Sequence, residues 1–143
     1  MTTNAAQIIV DRIEIEKLAL LFARGNDIDS SVFDQCMTED VEVIYPFGEW
    51  KGLEEQKRHR DSSIGKVFAY TQTFLTNAII DIDGDVARAQ YHVLAAHGKK
   101  PPGDKEVIFS GGVYIHDLVR TPQGWRIKRH HCKTLWRSTT PLA

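Results

Sequence analysis

From Asp11 to Arg24 the apolar side chains Ile15, Leu18, Leu21 and Phe22 return at three- and four-residue spacing, which predicts one buried face of a helix. Asp11 followed by Glu14 reads as a capping box at its start, and Gly25 as its stop. A second short helix is predicted over 30–37, where Asp29 can serve as cap and Val32, Phe33 and Cys36 share a side. Asp27 then falls in the tight connection between two helices. Val41 to Tyr45 alternates as a strand does, and Pro46-Phe47-Gly48 interrupts it. A polar helix is expected from Leu53 to Arg60. The rest alternates at strand period: Phe68 to Ile82, Val86 to His97, Lys105 to Val119, and Trp125 to Trp136. Asp83-Gly84, Pro101-Pro102-Gly103 and Thr121-Pro122-Gln123-Gly124 between them are turn chemistry of the kind that joins antiparallel neighbours.

Helices first and hairpins afterwards predict an α+β domain spanning 1–143, a curved antiparallel sheet coiled into a cone with the N-terminal helices over its mouth. The strand from Val86 to His97 carries the most information. One of its faces reads Ala87, Ala89, Tyr91, Val93, Ala95 and His97, and the other Arg88, Gln90, His92 and Leu94. The first is expected to face inward, and its three alanines leave room for a cavity where large side chains would have filled the core.

Composition narrows the class. With 42% hydrophobic and 26% charged residues and a net charge of −1, the chain reads as globular, with no field to recruit nucleic acid or anionic lipid. No apolar run approaches the roughly 20 residues of a membrane span, and the N-terminus lacks the pattern of a secretory signal, so a cytoplasmic location is expected. Cys36 and Cys132 fit two free thiols. The cluster Lys57-Arg58-His59-Arg60, offset by Glu54 and Glu55, reads as a solvated helix face. The spacing of histidines, cysteines and carboxylates supports no metal site, Gly111-Gly112 lies inside a strand and opens no helix, and no nucleophile signature is present. No cofactor is therefore expected.

Acid and base chemistry remains. The candidates are Asp27 at a helix end, Tyr45 before a break in its strand, His97 on the inner face, and one of His130 and His131, since adjacent strand residues point to opposite faces. Each has a structural alternative: Asp27 as a cap, Tyr45 as core, the histidines as packing or surface.

These residues, in their order, resemble the SnoaL-like family of the nuclear transport factor 2-like superfamily, and within it the scytalone dehydratase and hexachlorocyclohexane dehydrochlorinase branches. The resemblance is carried by Ala23-Arg24-Gly25-Asn26-Asp27, Val43-Ile44-Tyr45, Lys51-Gly52, Thr71-Gln72-Thr73-Phe74-Leu75, Asp83-Gly84-Asp85-Val86-Ala87, Gly111-Gly112-Val113-Tyr114 and Gly124-Trp125-Arg126-Ile127. It implies a cystatin-like α+β barrel with Asp27, Tyr45 and His97 as catalytic residues and Thr73, His130 and Tyr114 as substrate contacts. It also implies homodimers or homotrimers. One departure is evident: Thr73 stands where those dehydratases carry the histidine that acts as base, and an unaided threonine takes no proton near neutral pH.

The expected function is a cofactor-independent lyase or isomerase acting on a small hydrophobic or aromatic molecule. A non-catalytic binding or assembly module of the same fold is the alternative, as is an enzyme in the style of steroid isomerases and polyketide cyclases.

Overall fold

The first helix starts at Asn4, whose side chain accepts the Gln7 backbone N–H at 2.8 Å. In the computed structural model, which describes residues 4–142, α1 then runs Ala5–Asp27. A 3-10 turn over Ser30–Gln35 follows, with Asp29 accepting the Ser31 N–H as its cap. Next come β1 (Met37–Tyr45), β2 (Gly48–Lys51), α2 (Leu53–Ser62) and the single turn α3 (Ile64–Val67). Four long strands complete the chain: β3 (Phe68–Asp83), β4 (Val86–Lys99), β5 (Glu106–Thr121) and β6 (Gly124–Pro141). Gly84 and Gly124, at φ 60° and 103°, occupy the turns predicted for them.

Two readings of the first helix change. Asp11 is no cap; it sits two turns inside α1, fully buried, and joins the helix to the far hairpin. Its two oxygens accept from Arg120 Nη1 and Nη2 at 2.8 and 2.7 Å, and Oδ1 also accepts from Trp125 Nε1 at 3.1 Å. The Arg120 guanidinium holds the carboxyl far below the usual carboxylate range, against the opposing effect of burial. Gly25 does not stop the helix either. It lies inside α1 with the Phe33 ring against its Cα, so any side chain there would collide with that ring. The second helix is likewise shorter than predicted, because Met37 pairs into β1 opposite Ile127.

The strands form one six-stranded sheet in the order β2-β1-β6-β5-β4-β3. Four pairings are antiparallel as expected, whereas β1 lies parallel to β6. Along β4 burial follows the predicted alternation: Ala87, Ala89, Tyr91, Val93 and Ala95 are buried while Arg88, His92 and Leu94 are exposed. Ile15, Leu18 and Phe22 of α1 pack on this face with Leu118 and Ile127, each large side chain contributing about 1.5–3 kcal/mol by its burial. No helix among the described residues is long and apolar enough to cross a membrane.

The Asp11 joint is open to a direct test. Asp11→Ala leaves the Arg120 guanidinium and the Trp125 N–H without their acceptor, and a loss of roughly 3 kcal/mol is expected in urea unfolding. Glu16→Ala removes only the exposed Arg12–Glu16 pair, 3.5 Å apart, and is expected to change stability by less than about 0.5 kcal/mol.

Candidate functional site

α1 ends against β3, the edge strand of the sheet. An edge strand leaves half of its N–H groups unpaired. One of these, on Thr73, donates to Asp27 Oδ2 at 2.7 Å. Thr71 and Thr73, two residues apart and therefore on one face, donate their hydroxyls to Oδ1 at 3.1 and 2.7 Å. Asp27 thus accepts three hydrogen bonds from β3, while the capping of the next helical turn falls to Asp29. Of the roughly four lone-pair positions on a carboxylate, one on Oδ2 is left open.

Above this joint the end of α1, helix α2 and the concave side of the sheet enclose a cavity of about 630 Å³. Asp27, Tyr45, Thr73, His97 and Tyr114 all line it. His130 does not. Its ring is fully buried beneath the cavity, stacked on Phe22 at 4.2 Å and edge-on to Tyr114 at 4.6 Å. Its Nδ1 lies 3.0 Å from His116 Nε2 on the neighbouring strand, so one of these two nitrogens carries the shared proton. His131 takes the other face of β6, half-buried.

The protonation states follow from burial. Burial, with a contribution from the Cys132 thiol, pushes the Tyr45 phenol well above its ordinary value, and burial does the same to Tyr114. Both rings therefore present O–H donors at neutral pH. His97 is shifted down, chiefly by burial and then by the positive charge of Arg137, with Asp27 acting in the opposite sense. Its imidazole is neutral at pH 7, and its buried Nδ1 has no partner among the described residues. In register it stands opposite Thr71, one of the two threonines that grip Asp27.

Beside Tyr45, Trp50 and the polar face of α2 also line the cavity and were not singled out as lining in the sequence. Phe47 and Trp50 lie within 17° of parallel to Tyr45 at 5.1 and 5.4 Å and 6.2 Å from each other, and Trp50 stacks in turn on His59 at 4.0 Å. Gln56, His59, Arg60 and Ser63 line the roof from one face of α2 and the residue after it. Their spacing of three, four and seven is a helical stripe that could have been found, although its polarity made it look like solvent-facing surface. Only Lys57 and Arg58 of that basic cluster behave as a solvated face, paired with Asp34 and Glu54 and with Glu55. Arg60 turns inward, its Nε donating to the Asn26 carbonyl at 3.0 Å. Among the described residues no group of three or more histidine, cysteine or acidic side chains converges on a metal position.

A helix gripping the edge of a coiled sheet, with an aspartate at the joint and a cavity over it, defines a class of small α+β cone. The SnoaL-like domain family matches residues 7–131, and the chain belongs to that family. An uncharacterised protein of Mycobacterium tuberculosis is 32% identical over 126 residues, covering 85% of this chain and 83% of that protein. Solved structures share the fold at lower identity. A hexachlorocyclohexane dehydrochlorinase of Novosphingobium barchaimii superposes with a TM-score of 0.85 at 17% identity, over 98% of this chain and 95% of that one. For a proposed scytalone dehydratase of Novosphingobium aromaticivorans the TM-score is 0.79 at 24% identity, over 94% and 91% of the two chains. A nuclear transport factor 2-like protein of Salmonella enterica gives 0.82 at 19%, over 89% and 92%.

The buried histidine pair makes stability depend on pH. Burial holds His116 down at about 3 and lowers His130 as well, against about 6.5 in the unfolded chain. Between those values the unfolded state binds more protons, so stability is full above about pH 6.5 and falls as the pH drops toward 3. Urea midpoints measured from pH 7.5 to 4.5 are expected to decline, and His116→Phe is expected to flatten part of that decline.

Proposed function

We propose that the protein is a cofactor-independent lyase or isomerase that removes a proton from carbon beside a carbonyl or aromatic ring of a small hydrophobic substrate. The observation that carries this reading is the neutral imidazole of His97 on the wall of a cavity that also holds two protonated phenols and a fixed carboxylate. The fold it shares with a dehydrochlorinase and a proposed scytalone dehydratase supports the same class of chemistry.

His97 is assigned as the base, because three of the lone-pair positions on Asp27 are already taken by Thr71 and Thr73. Proton transfer turns His97 into an imidazolium, and Asp27 supplies the negative charge that favours it. Tyr114 donates to the oxygen on which charge develops, and Tyr45 to the group that leaves. In the elimination form the carbon–hydrogen bond gives its electron pair to a new double bond, and the carbon–oxygen bond to the leaving hydroxyl breaks. That hydroxyl departs as water with a proton from Tyr45, which regains one as His97 is deprotonated. In the isomerase form the proton held on His97 returns to a different carbon. Thr73 keeps the carboxylate in place and handles no proton.

The test is a panel of hydroxylated and carbonyl-bearing aromatics incubated in heavy water and read by mass spectrometry for carbon-bound deuterium and for loss of water. His97→Ala is expected to reduce turnover about 100- to 10,000-fold, the usual weight of a positioned base. Thr73→Ala forfeits one hydrogen bond and is expected to cost roughly tenfold or less. The rate should be flat near pH 7 and fall in acid as His97 is protonated below its ordinary value. A ligand that binds tightly without exchange, or exchange that survives His97→Ala, would overturn the assignment.

A further inference from the structure

One charged side chain at the exposed rim of the cavity has no counterpart. Arg60 is committed to the Asn26 carbonyl and to Asp61, and the Asp27 carboxylate is committed to β3. Arg137 of β6 also lines the cavity, and it forms no ion pair among the described residues.

A break in the strand register brings it there. Gly112 pairs with Thr134 and Gly111 with Trp136, so Leu135 is an extra residue in β6. Thr134 and Arg137 consequently both face the cavity although they are three positions apart, an odd spacing, and Trp136 is turned onto Gly111 instead. A bulge that re-aims one side chain costs ladder hydrogen bonds, and such bulges concentrate at functional sites.

The pairing also gives Arg137 a geometry relative to the rest of the site. Thr73, Ala95, Ser110 and Arg137 are successive partners across β3, β4, β5 and β6 and form one row on the inner face. Its ends are three strand spacings apart, about 14 Å. Asp27 supplies a negative charge at the Thr73 end, Arg137 a positive charge at the other, and only the small side chains of Ala95 and Ser110 lie between. His97 stands two residues along β4 from Ala95, beside the middle of the row.

We propose that Arg137 binds a carboxylate on the substrate, so that the pocket selects aromatic acids over their neutral counterparts. This rests on the reading of the cavity as a site for carbon-acid chemistry, and it names the substrate class. A guanidinium with its forked donors free takes a carboxylate by two parallel charge-assisted bonds. Asp27 repels the same group from the opposite end, so the ligand has one orientation along the row, with its central carbons beside His97.

Isothermal titration at low salt with 2-naphthoate against 2-naphthamide, cinnamate against cinnamamide, and salicylate against salicylamide tests this. At least one acid is expected to bind about tenfold or more tightly than its amide, a difference of about 1.4 kcal/mol, and the preference should shrink as salt is raised. Arg137→Gln should abolish the preference and Arg137→Lys keep part of it, with the melting temperature of each variant checked against the parent. His97→Gln should keep the preference while losing proton exchange, which separates this proposal from the catalytic one. If no acid outbinds its amide, or if the preference survives Arg137→Gln, the proposal fails even where exchange is observed.

Discussion

Three hydrogen bonds to the carboxylate of Asp27 fasten the last residue of α1 to the open edge of β3, and the cavity exists because of where that fastening lies. The helix is held at a second point by the Asp11–Arg120–Trp125 joint, sixteen residues earlier and so about 24 Å along the axis. Between the two points Ile15, Leu18 and Phe22 fill the sheet's concave face. Beyond Asp27 the first helix no longer fills that face, α2 roofs it instead, and the space left between roof and sheet is the pocket. The same carboxylate satisfies an edge N–H, sets the spacing of helix and sheet, and contributes the fixed negative charge of the site.

Burial sets the chemical character of the groups around that charge. Desolvation lifts the two phenols and lowers His97 and the histidine pair below the floor. The phenols thereby keep their protons and the imidazoles stay without a second one, which supplies donors and an acceptor together at one pH. The aromatic cluster of Phe47, Tyr45, Trp50 and His59 lines one side of the cavity, and it is delivered there because β1 adds to β6 in parallel and sends its hairpin past the open end of the sheet.

The α+β class, the four long strands and the inward face of β4 were legible in the chain, because period-two alternation from Ala87 to His97 leaves little freedom once one face is apolar. The positions of Asp27 and His97 beside one cavity could be read from the same patterns and from the family resemblance. What could not be read depended on partners far away in sequence. Asp11 has the spacing of a helix cap, and only the approach of Arg120 and Trp125 makes it a buried joint. Gly25 has the composition of a helix stop, but the Phe33 ring explains it. Parity alone left His130 and His131 undecided. The extra residue Lys128, between the pairs Asp117–Arg129 and Leu118–Ile127, turns His130 inward. Arg137 escaped notice for the same reason, since a bulge is a property of two strands and neither strand announces it by itself.

That bulge has an evolutionary consequence. Were the bulge straightened with Leu135 kept in the ladder, plain alternation beyond Thr134 would turn the indole now lying on Gly111 to the cavity side and send the guanidinium to the opposite face, whereas removing Leu135 would leave both where they are. A one-residue slip in the pairing there would exchange a cationic wall for an aromatic one with no substitution anywhere in the lining. In this architecture ligand preference can therefore change by register within a strand, and descendants that look conserved position by position could still have opposite tastes.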